Sequence, residues 1–188
     1  MDYLPNVIFA IALLLGIGFF VSNVLKLIRN IKLGKDLDRS DNKPERWKNM
    51  ARIALGQSKM VSRPIAGFLH IVVYIGFIVI NIEVLEIIID GLFGTHRIFQ
   101  PLLGNSIYGF LIGTFEILAF LVLVAVIIFW LRRNIVQLKR FMSKEMKGWP
   151  KNDGNLILYF EIVLMSLFIL MNATDYSFQQ AGFGNPIS

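Results

Sequence analysis

Four long apolar stretches separated by polar ones set the pattern of this chain, running approximately over residues 5–28, 64–89, 106–131 and 154–171. Each is close to the roughly 20 residues that a helix, rising about 1.5 Å per residue, needs to cross about 30 Å of hydrocarbon. None shows the two-residue alternation of a barrel strand, and an open sheet in lipid would leave backbone N–H and C=O groups unpaired. The pattern therefore predicts an all-α, polytopic membrane helix bundle with four transmembrane helices. The first stretch follows an acidic start, Met1-Asp2, and has no small-residue exit site, so it reads as a retained helix rather than a signal peptide. Composition agrees: 55% of the 188 residues are hydrophobic and 17% charged, with a mean hydropathy of +0.62.

Charge then gives the expected orientation. From Lys26 to Arg63 lie 11 Lys and Arg, from Arg132 to Lys151 lie 7, and the opposite side holds Arg97 alone. By the positive-inside rule, segments 29–63 and 132–153 are expected in the cytoplasm and the N-terminus outside, in a bacterial cytoplasmic (inner) membrane. The formal charge of +6 then belongs to loops that flank spans and meet anionic headgroups, and no nucleic-acid-reading motif accompanies it. With no cysteine, these residues build no disulfide, thiolate zinc site or iron–sulfur cluster.

The first basic segment divides in two. Residues 34–46 read as a polar, helix-breaking tip punctuated by Gly34 and Pro44. After it, Trp47, Met50, Ala51, Ala54 and Leu55 recur at helical spacing among Lys48, Arg52 and Lys59, which predicts an amphipathic helix, either interfacial or simply solvated. Trp47, Trp130 and Trp149 all fall on the basic rim, where an indole is favoured. The chain finishes on AGFGNPIS without a closing amphipathic segment, so it is expected to be the N-terminal part of a longer chain.

Ionisable side chains inside a span are costly unless they face a polar interior, which makes each a candidate for function. Five qualify: His70, Glu83, Glu86, Glu116 and Glu161. A 3.6 period places Gly67, His70, Tyr74, Phe77 and Asn81 on one stripe, expected to face the bundle. Gly67 would admit a flat macrocycle beside His70, whose imidazole is a standard axial ligand for haem iron. About 7 residues from Arg63, His70 would lie roughly 10 Å below the cytoplasmic surface, with Arg63 and Lys59 near enough for haem propionates. The other reading of His70 is an interhelical hydrogen bond. Glu83 and Glu86 are expected in the outer third, as a proton or quinone site or as snorkelling groups. Glu116 and Glu161 are expected nearer mid-membrane, on a proton path or in structural hydrogen bonds. Gly109 and Gly113 give a small-xxx-small packing face.

Residues 62–80, SRPIAGFLHIVVYIGFIVI, and 108–140, YGFLIGTFEILAFLVLVAVIIFWLRRNIVQLKR, resemble the membrane domain of Fe–S oxidoreductases related to heterodisulfide reductase. Wider relatives are the cytochrome b (gamma) subunits of respiratory nitrate reductase. The sharpest part is Arg63, Pro64, Gly67, His70, Tyr74, Gly76 and Phe77. The resemblance implies one b-type haem on His70, with its second ligand from a further span beyond these residues. It also implies 4Fe-4S clusters on a cytoplasmic partner or a C-terminal region, and electron transfer between them and a quinone pool, with other membrane subunits as partners. Without haem, the chain would instead be a non-catalytic membrane anchor or accessory subunit.

Overall fold

The computed structural model describes residues 3–35, 38, 41–58, 60, 63–141, 143–146 and 148–180. Helices dominate, with no strand among the described residues: α1 Leu4–Lys32, α2 Lys43–Met50, α3 Pro64–Phe93, α4 Phe99–Leu103, α5 Asn105–Asn134, α6 Trp149–Ala173 and α7 Tyr176–Gln180. A π-helical turn, Ala51–Leu55, continues α2. Four of these, α1, α3, α5 and α6, are long and apolar enough to cross a membrane, as their hydropathy predicts. They run past the predicted ends because polar residues at a span boundary still propagate helix. Thus α6 begins at Trp149, with Pro150 in its first turn, where a missing N–H costs nothing. Pro44 does the same for α2, so the expected helix-breaking residue starts a helix.

Two compact units are present, one of residues 1–59 with 85–98 and one of residues 60–84 with 99–188.

In the first unit, the N-terminal end of α1 packs on the C-terminal end of α3. Asn6 Nδ2 donates to Gly91 O at 2.8 Å, and the ring of Phe9 lies so close to Gly91 that a Cβ there would stand 2.6 Å from Cε1. No residue of α1 is fully buried. The turn after α3 is organised by Asp90, whose carboxylate accepts from Thr95 Oγ1, from Arg97 N at 2.7 Å and from Ile98 N at 3.4 Å. This holds Arg97 at a left-handed φ of 56°, with its side chain buried.

In the second unit, α5 is the central helix. It buries Tyr108, Ile112, Phe115, Glu116, Ala119, Val122, Ala125 and Val126. Gly76 of α3 meets it where a Cβ would overlap Val122 Cγ2, the close approach that small residues permit between membrane helices. On a different face α5 is joined to α6. Asn134 and Asn155 exchange amide hydrogen bonds at 3.2 and 3.0 Å, and Trp130 packs on Tyr159 with ring centroids 6.5 Å apart. Arg133 Nη2 donates to Pro150 O and Lys151 O, both at 3.1 Å.

Candidate functional site

The buried stripe of α3 within the second unit is Gly67, Leu69, Gly76, Ile80 and Glu83. The predicted stripe is thus corrected: Gly67 is buried and His70 and Tyr74 are half-buried, but Phe77 is 65% exposed and Asn81 is exposed as well. Asn81 Nδ2 turns back to Phe77 O of its own helix, which satisfies an amide without an interhelical partner. The helical period holds, and the stripe is rotated about the axis. A line drawn through the polar residues misses the packed face, which lies where a glycine lets α5 approach.

Contacts on either side of α5 fix which residues share a level. Gly76 is level with Val122, so two turns on, Glu83 is level with Phe115 and Glu116. Asn134 is level with Asn155. Five turns towards the other end of these antiparallel helices, Glu116 is therefore level with Ala173 and its neighbour Asn172, in the last turn of α6. Glu83, Glu116 and Asn172 are all fully buried, and this register puts them in one layer across the helices. The first unit holds a third buried carboxyl, Glu86. Glu83 and Glu86 are therefore interior residues and not snorkelling ones.

The same register separates two glutamates expected at similar depth. Glu161 is level with residue 128 of α5, about 12 residues from Glu116, or about 18 Å along the helix. It is half-buried and shares its level with His70, which precedes Gly76 by less than two turns. Glu161 thus belongs with His70 towards the basic end, and Glu116 with Glu83 and Asn172 towards the other.

Around His70, Gly67 is buried one turn earlier and Arg63 is exposed just before α3. Lys59 lies outside the described residues. The other histidine, His96, is exposed in the turn of the first unit. Among the described residues no group of three or more His, Asp or Glu is placed to hold a metal ion. His70 is a half-buried imidazole one turn after a covered glycine, a donor of the chemical type that can serve as one axial haem ligand.

Three polar residues escape the sequence reading. Asn172 falls there just past the fourth apolar stretch, Arg97 reads only as the lone cation of its side, and Arg133 only as loop charge. An Asp at a helix end followed by G-x-x-G-T is the available signal for the Arg97 turn. Comparison with family models, curated proteins and solved structures gives no match to this chain.

Proposed function

We propose that the chain is a membrane-embedded electron-transfer domain, passing electrons between a cytoplasmic Fe–S module and a quinone pool through a b-type haem ligated by His70. The observation that carries this reading is the half-buried His70 beside the buried Gly67, within the segment that resembles the haem-bearing span of Fe–S oxidoreductases. When bound, the haem would supply one-electron chemistry. Arg63 would pair with a propionate at the basic end, and the second axial ligand would come from outside these residues. In this reading the basic segments face the cytoplasm of a bacterial inner membrane, and the Glu83, Glu116 and Asn172 layer lies towards the outer face, where buried carboxyls can hold protons for quinone chemistry.

A reduced-minus-oxidised absorbance spectrum of the full-length protein tests this. His70→Leu should abolish the haem bands while the helices still insert, and His96→Leu should leave them intact. A preparation without haem, or haem that survives His70→Leu, overturns the reading. The second reading, a non-catalytic anchor, is favoured by the Gly76–Val122 approach and the α5–α6 hydrogen bonds, which need no cofactor to hold the helices together.

A further inference from the structure

The segment joining α1 to α3 carries exposed apolar side chains. Trp47 is 68% exposed, Met50 42%, Ile53 46% and Leu55 62%. Lys43, Arg46, Trp47 and Met50 line one surface groove, and their spacing puts them on one face of α2. The only acidic residue of α2, Glu45, falls on the opposite face with Lys48. A groove of two cations, an indole and a thioether suits a ligand with an anionic head and an apolar body.

Two features choose the ligand. First, the segment is tied at both ends: α1 ends at Lys32 and α3 begins at Pro64, and both are long and apolar enough to cross a membrane. Its groove therefore stays near a bilayer surface. Second, residues 26–63 carry 11 basic side chains against the four acids Asp36, Asp38, Asp41 and Glu45, a balance that favours an anionic leaflet. A protein is a poorer occupant, because four apolar side chains fall well short of the roughly 20–30 residues a side of a stable protein interface.

We propose that the groove of Lys43, Arg46, Trp47 and Met50 binds an anionic phospholipid, with the two cations on the phosphate and the indole and thioether against the acyl boundary. The site rests on the membrane location of the flanking helices and does not depend on haem.

Full-length protein in nanodiscs of phosphatidylcholine, with or without phosphatidylglycerol, gives the test. The contribution of Trp47 is taken as the difference in fluorescence between the protein and its Trp47→Phe variant, and brominated acyl chains serve as quencher. Trp47 should be blue-shifted and quenched, more strongly with phosphatidylglycerol. Lys43→Gln and Arg46→Gln should each lower that lipid preference about fivefold, with helix content unchanged by circular dichroism. Excess inorganic phosphate should have no effect. Water-like, unquenched Trp47 emission in both lipids overturns the proposal. So do equal quenching in both, displacement by free phosphate, or shielding that appears only when a soluble protein is added.

Discussion

Gly76 of α3 and Val122 of α5 compete for one volume: the carbon that Gly76 lacks would overlap Val122 Cγ2. A valine in a helix has essentially one χ1 rotamer, so Val122 cannot turn aside. Gly76→Ala should therefore destabilise the protein by about 1–3 kcal/mol. Pairing it with Val122→Ala should recover most of that loss, as a double-mutant cycle in denaturant would show.

Arg133 makes the second prediction. Its guanidinium reaches two carbonyls of the first turn of α6 and lies 5.2 Å above the Phe141 ring, in space that a Cβ on Gly154 would enter at 2.7 Å. Arg133→Ala should cost about 1.5–3 kcal/mol, the range for hydrogen bonds to charged groups, reduced by whatever water replaces. Gly154→Leu should displace the guanidinium and give a similar loss of thermal stability, and combining the two should cost less than their sum.

Asp90 is tested by hydrogen exchange. Its carboxylate holds Thr95, Arg97 and Ile98, so Asp90→Ala should speed exchange of the Arg97 and Ile98 amides. Exchange within the middle of α5 should be unchanged, because opening of the turn is local.

Glu116 is fully covered, so a polar isostere should be tolerated better than an apolar one at that position. Glu116→Gln should assemble close to normally, whereas Glu116→Leu should lower the yield of folded protein. Equal yields would remove the interior polar role.

The four spans are legible in the sequence, because a helix in lipid must be apolar throughout its length and hydropathy reads that directly. Which face of α3 is packed is not. In a span whose polar residues fall on more than one face, polarity does not single out the buried stripe, and shape, here the missing carbon of Gly76, does. His70 and the four intramembrane glutamates can be picked out from sequence. Their levels cannot, because the registers of α5 against α3 and α6 depend on the contacts of Gly76 with Val122 and of Asn134 with Asn155, and those decide that Glu161 lies with His70 and Glu116 with Asn172.

The connection between α5 and α6 is tied at its base by Arg133 and by the Asn134–Asn155 pair. Its ends are thus held together by contacts between the two helix ends, with Phe141 of the connection against the Arg133 guanidinium, and the entropy of closing a longer loop grows only as a logarithm, about 0.6 kcal/mol per doubling. The exposed residues 135–137 are accordingly a natural place to insert a reporter domain or an affinity tag without disturbing the helices.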